Sequence, residues 1–394
     1  MKDGLIQEVG MSRRVENLSA SKNAAVFDAT GMVVMPAFID PSVSLVFAHS
    51  GVESNAERLL TGAGQTPASQ REDILEGVRA LKLVSKNRLI LRAAELAASL
   101  ARHGTGTIGA VSGYGLDETG EVKSLRAAQE TDGNPLSVFP IFLGANTPPP
   151  EVSAAQFTRN ALEPLLEIVS RRKLSRIAAV RCGPHAFDPE SARAFLLAAR
   201  ALGLSLSLYS HQFAPDEGIS LALEFQALSA THLEHIAGPA IDLLARSRTL
   251  AVLTPAATFH MGLPRFAPAR KLIDSGAAVA LSTAFNPDSC PTHSVPFNIM
   301  LACRYLAMSP AEAIAASTIN AAHALGISRR AGTLECGKQA DLLVLDVRDY
   351  RDIPLTPGLN LVHTLFKSGK IVYGPQSCES SASLTSPPAP ASPR

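Results

Sequence analysis

Val34-Met-Pro-Ala-Phe-Ile-Asp-Pro-Ser-Val-Ser-Leu-Val-Phe-Ala-His-Ser50 is an apolar run broken by one proline and closed by Asp40-Pro41, after which serines alternate with apolar residues. On a strand, Ser42 and Ser44 point to one side and Val43 to the other. Apolar runs of this kind are expected where both faces of a parallel sheet are covered. The stretch therefore reads as a crossing from an N-terminal set of strands into the first strand of a larger sheet.

Downstream, strand-like and helix-like segments alternate. Candidate strands are 33–39, 106–111, 138–143, 178–182, 205–210, 228–232, 250–254 and 278–282. Helix-like segments lie between and after them, at 74–101, 125–129, 161–171, 189–202, 217–226, 239–245, 268–275, 296–308 and 310–325. Asp188-Pro189 is a helix start with an aspartate cap and a proline in the first turn. Ser309-Pro-Ala-Glu312 is a capping box. Eight β-then-α units predict a (β/α)8 TIM barrel over 36–330. An open doubly wound sheet is the alternative, weakened because no Gly-x-Gly-x-x-Gly follows an early strand.

The chain ends read differently. Segments 5–10, 25–28 and 32–35 are strand-like, with a turn at Gly31, and cannot bury a core alone. Segments 342–346, 362–366 and 370–373, with Gly369 at a hairpin turn, offer partners. The expectation is a small β-sandwich split between 1–35 and 331–374. The Ser-, Pro- and Ala-rich tail at 375–394 is expected to be disordered.

Composition narrows the class. The 394 residues are 46% hydrophobic and 18% charged, against a usual charged fraction of about 25%, so a large core is expected. The net charge of +1 points to no nucleic-acid partner, and Arg171-Arg172-Lys173 reads as a solvated helix end. The five cysteines are widely spaced with no C-x-x-C, which favours free thiols in a reducing cytoplasm. The N-terminus lacks a signal-peptide core, and no run reaches the ~18 apolar residues of a membrane helix.

Gly332-Thr-Leu-Glu-Cys-Gly-Lys-Gln-Ala-Asp-Leu-Leu-Val-Leu-Asp346 resembles the strand by which amidohydrolases return from barrel to small domain. Leu45-Val-Phe-Ala48, Ser112-Gly-Tyr-Gly-Leu-Asp117, Phe142-Leu-Gly-Ala145, Ser229-Ala-Thr-His-Leu233 and Phe285-Asn-Pro287 resemble the imidazolonepropionase family more narrowly. The resemblance runs in order from about residue 4 to 374. It implies an amidohydrolase-type barrel and hydrolysis of the ring C–N bond of imidazolone propionate in histidine degradation. It also implies strand residues before the equivalent of Lys2, so one or two small-domain strands are expected to be missing.

That chemistry rests on zinc or iron, which lowers the pKa of bound water from ~15.7 to about 7. At about 1.36 kcal/mol per unit, roughly 12 kcal/mol comes off the cost of making hydroxide. The resemblance places the ligands, two histidines after the first barrel strand, one after the fifth and an aspartate after the eighth, at Ser42, Ser44, Tyr209 and Ala284. Hydroxyls and a neutral phenol are poor ligands for a divalent metal, and alanine is none. No metal cofactor is therefore expected. Gln212 replaces the family's glutamate, Gly51 its carboxylate-holding arginine and Asn146 a histidine, whereas Tyr114, His232 and Asn286 match.

The expectation is a protein that has lost metal-dependent hydrolysis. It would keep a barrel-mouth pocket for a small ligand, lined by Tyr114, Asn146, His211, Gln212 and Asn286, and would act as a binder or non-catalytic subunit, with a homodimer as the candidate assembly. The alternative is a working cyclic-amide hydrolase in which His232 is catalytic, without metal or with one relocated to His211, His232 and His235. Cys182, near His185, reads as a packed thiol at a strand end.

Overall fold

The computed structural model describes residues 1–18, 21–22 and 24–375. The tail expected to be disordered lies outside these from residue 376 onward. The opening stretch is two strands. β1 (Val33–Pro36) belongs to a small sheet and β2 (Phe38–Val43) starts the barrel. Pro36 has no N–H to continue the ladder, and Ala37 N turns to donate to Asp341 O at 3.1 Å. The single strand expected at 33–39 is thus divided at its proline.

From β2 the barrel continues through β3 (Thr105–Val111), β4 (Ser137–Ala145), β5 (Ile177–Arg181) and β6 (Ser205–Ser210). It ends with β7 (Ser229–His232), β8 (Leu250–Leu253) and β9 (Val279–Leu281). Every neighbouring pair from β2 to β9 is parallel, so the expected eight-stranded barrel is present.

The last strand meets the first through Asp40. Its carboxylate accepts from Ser282 Oγ and from Thr283 N and Oγ1. Burial pushes its pKa up to about 6 against these hydrogen bonds. Ser44 N donates to Phe285 O at 2.8 Å above it. Inside the barrel Ile39, Val111, Ile141, Leu143, Ile177 and Tyr209 pack together, with Ala321, Ala322 and Leu325 in the same cluster.

The small sheet has the order β1, β10 (Leu342–Leu345), β11 (Val362–Lys367), β12 (Lys370–Tyr373), all antiparallel. It comes from both chain ends, as expected, and is one layer of four strands among the described residues. The N-terminal segments contribute less than the pattern predicts. Leu5 makes only isolated bridges, to Lys2 and Gln339, and Ser12–Glu16 is a short helix. Residues 25–28 form no ladder, although Phe27 packs edge-on against Phe366 with ring centroids 5.2 Å apart.

Two predicted helices are each broken. Residues 74–101 fall in Pro67–Leu83 and Lys86–Arg102, because Val84 is extended and Ser85 caps a new helix by accepting from Arg88 N. Residues 310–325 fall in Pro310–Ala316, capped by the expected Ser309 box, and Ile319–Ala324. A further helix, Val52–Thr61, follows the first barrel strand. No described helix is long and apolar enough to cross a membrane.

Candidate functional site

The C-terminal ends of the barrel strands surround a cavity of about 90 Å³. That is where a (β/α)8 fold places its sites. Ser42 and Ser44 reach it from the end of β2, Tyr209 from β6, His232 from the end of β7 and Ala284 from just beyond β9. The positions that the resemblance marks for a metal therefore converge. Ser42 Oγ and Tyr209 Oη lie 2.8 Å apart, satisfying each other. Burial pushes the Tyr209 pKa up to about 12, so it is a neutral phenol. Ala284 packs its methyl with Met261, Cys290 and Leu301. Two hydroxyls, a phenol and a methyl do not fit a divalent metal. Among the described residues, no three His, Cys, Asp or Glu side chains are grouped to hold one.

His232 is buried at the cavity wall, with Nδ1 3.1 Å from Thr254 Oγ1 and its ring 5.6 Å from that of Tyr209. Burial, and then the Arg181 charge, pulls its pKa down to about 3, so it stays neutral. Behind it, Glu234 Oε1 accepts from Thr254 Oγ1 at 3.5 Å and from Thr258 Oγ1 at 2.7 Å. Glu234 Oε2 has no partner, and burial pushes this carboxyl up to about 7.

Tyr114, Asn146, Gln212 and Asn286 all line the cavity. Tyr114 Oη donates to Asp288 Oδ2 at 3.1 Å, and burial, with the Asp288 charge, raises its pKa well above the usual value. Asn146 Nδ2 donates to Gly113 O at 3.2 Å. Gln212 Oε1 accepts from Gln70 Nε2 at 3.2 Å. Asn286 is spent on a turn: its Oδ1 accepts from Asp288 N and Ser289 N, and its Nδ2 donates to Ala284 O.

His211 departs from the expectation of a substrate-binding residue. β6 ends at Ser210, and His211 has a left-handed backbone with φ +58°. That turn places Nδ1 2.7 Å from Ser210 Oγ and 3.3 Å from Asp216 Oδ1, outside the cavity lining. His211, His232 and His235 do not form a metal cluster. Cys182 is buried, and burial raises its thiol pKa, leaving no reactive thiolate.

Several lining groups escaped the sequence reading. Asp288 lies two residues past Asn286, and its Oδ1 is 2.7 Å from Nε2 of His49. Arg181 ends β5 and lines the cavity. Gln70 and Asp73 come from the helix turns N-terminal to the predicted start at 74, so no helical pattern flagged them. Arg181 did leave a signal, as the only charge in an otherwise apolar strand.

The arginine position of the resemblance is closed. Gly51 has φ +61°, and a Cβ there would fall 2.3 Å from Pro287 O and 2.9 Å from Asp288 Oδ1. Only glycine suits that backbone and that approach.

A model of the amidohydrolase family matches residues 230–372. An imidazolonepropionase of Symbiobacterium thermophilum is 36% identical over 376 residues, covering 94% of this chain and 88% of that protein. One from Geobacillus kaustophilus is 36% identical, covering 94% and 89%. Among solved structures, a 5-methylcytosine deaminase from Klebsiella pneumoniae superposes with a TM-score of 0.74 at 15% identity, covering 95% of this chain and 94% of that one. E. coli guanine deaminase gives 0.72 at 14%, covering 95% and 92%. At such identities the structures bear on the fold alone.

Proposed function

The chain belongs to the imidazolonepropionase family of amidohydrolases, and we propose that it is a small-ligand-binding member that has lost metal-dependent hydrolysis. The observation that carries the reading is the convergence of Ser42, Ser44, Tyr209 and Ala284 on one cavity. Nothing in that donor set would replace the thiolate, imidazole or carboxylate ligands that zinc or iron takes. The ordinary means of generating hydroxide in such a site therefore has no seat at those positions. What remains is a shaped, polar cavity at a barrel mouth, which suits recognition.

A second reading is hydrolysis of a cyclic amide or amidine without that metal, with His232 as the acting group. Glu234 favours it, since a carboxyl near 7 is poised for proton transfer. Against it, an imidazole pulled down to about 3 accepts a proton poorly at neutral pH.

The deciding experiment joins elemental analysis of purified protein with an assay for hydrolysis of imidazolone propionate. The expected result is no stoichiometric zinc or iron and no turnover, with thermal stabilisation by substrate-like compounds. Stoichiometric metal with turnover overturns the proposal. Turnover without metal selects the second reading.

A further inference from the structure

We infer that Arg181, at the end of β5, is the anchor for a carboxylate on the cavity's ligand, whereas the resemblance implies an arginine for that task at the position of Gly51, beyond β2. The inference rests on the proposal that the barrel mouth binds a small molecule. Arg181 is only 7% exposed and lines the cavity. Nε donates to Asn146 O at 3.0 Å, and Nη1 donates to Gln70 Oε1. Nη2 is buried and has no partner.

The surrounding carboxylates are engaged elsewhere. Asp73 takes Arg58 at 3.0 Å and Gln65 at 2.8 Å. Asp288 takes His49 and Tyr114. Asp216 takes Ser210 and the His211 backbone N–H. Among the described residues Arg181 is in no ion pair. Burial pulls its pKa down to about 10, which still leaves it charged at neutral pH. A buried, unpaired guanidinium is costly, and an arriving carboxylate relieves that cost with charge-assisted hydrogen bonds.

The frame around it suits that task. Asn146 O and Gln70 Oε1 hold two edges of the guanidinium, and Gln70 is braced in turn by Gln212. A planar fork held this way is preorganised for a carboxylate. The cavity volume of about 90 Å³ favours a small acid over a bulky anion. The position at Gly51 has no space for a side chain, so a carboxylate entering this cavity finds its guanidinium on β5.

The test is thermal unfolding at constant ionic strength with four probes: 3-(imidazol-4-yl)propionate, its methyl ester, propionate and imidazole. Chloride and inorganic phosphate serve as anion controls. The variants are Arg181→Met and Arg181→Lys. The free acid is expected to stabilise the wild type and bind at least tenfold tighter than its ester. Arg181→Met should abolish that preference while keeping the midpoint in anion-free buffer within about 5 °C of wild type, because removing an unpaired buried charge offsets the loss of the donors to Asn146 O and Gln70 Oε1. Arg181→Lys should retain a weakened preference.

Equal binding of acid and ester, or an acid preference that survives Arg181→Met, overturns the anchor and leaves the binding proposal standing. An Arg181→Met midpoint more than about 5 °C below wild type without anion identifies a structural strut, and overturns it as well. A shift with chloride or phosphate matching that of the acid shows a general anion hole and overturns the carboxylate assignment. No shift with any probe sinks both readings.

Discussion

Glu234→Gln isolates the charge buried behind His232. The wild-type carboxyl accepts from Thr258 Oγ1 at 2.7 Å, leaves Oε2 without a partner, and is pushed by burial from 4.5 up to about 7. A carboxyl whose folded pKa is raised contributes stability fully present below its unfolded value and lost as pH rises through the folded value. The window here runs from about 4.5 to 7. A displacement of that size is worth about 3 kcal/mol at about 1.36 kcal/mol per unit, of which about 2–3 kcal/mol falls between pH 5 and 8. Glutamine keeps an acceptor for Thr258 and carries no charge.

Urea unfolding at pH 5 and pH 8 reads the difference. The wild type should lose about 2–3 kcal/mol more than Glu234→Gln over that span. Asp40, raised to about 6, lowers stability in the same direction in both proteins, so its part cancels. The lowered pKa of His232 acts the opposite way, its contribution present above 6.5 and lost as pH falls through about 3. It too is shared. A wild-type-minus-variant difference that is the same at pH 5 and pH 8 would refute the reasoning, because Glu234 would then ionise alike folded and unfolded.

Two further outcomes follow from the geometry. Gly51→Ala should destabilise by about 2–4 kcal/mol, combining the left-handed backbone penalty with overpacking against Pro287 O; an unchanged urea midpoint would show that the loop yields. The variant joining Ser42→His, Ser44→His, Tyr209→His and Ala284→Asp should take up one divalent metal per chain by elemental analysis, since these positions share one cavity. A metal-free quadruple variant would show that the positions do not present their side chains to a common point.

The barrel was legible because its strands are short apolar runs whose spacing outlasts errors at the ends. β6 matches its predicted bounds, and β8 differs by one residue at one end. The division at Pro36 was harder. The apolar run continues across it, and only the competing partners, Asp341 for Ala37 and Gly104 for Phe38, assign its halves to different sheets. The site was legible where it lies on strand ends, as with Ser42, Tyr209 and His232. His211, one residue past β6, lies outside the cavity lining and turns to Ser210 and Asp216. His49 and Asp288 are 239 residues apart, and no local pattern announces a pair made by barrel closure.

The cavity's electrostatics separate binding from catalysis. A side chain that attacks or abstracts at neutral pH must have its pKa brought toward 7. Burial moves most candidates here the other way. The Tyr209 phenol goes up to about 12 and the Tyr114 phenol also rises. The His232 imidazole falls to about 3, and the Cys182 thiol, outside the cavity lining, rises. Glu234 alone approaches 7, and it reaches the cavity only through Thr254 and His232. The same burial has a different consequence for Arg181, which stays charged while its buried Nη2 has no hydrogen-bond partner. Desolvation thus makes the site's nucleophiles and bases less reactive and its one unpaired cation more attractive to an anion. On the proposed reading, a cavity built on those terms would hold an acid more readily than hydrolyse one.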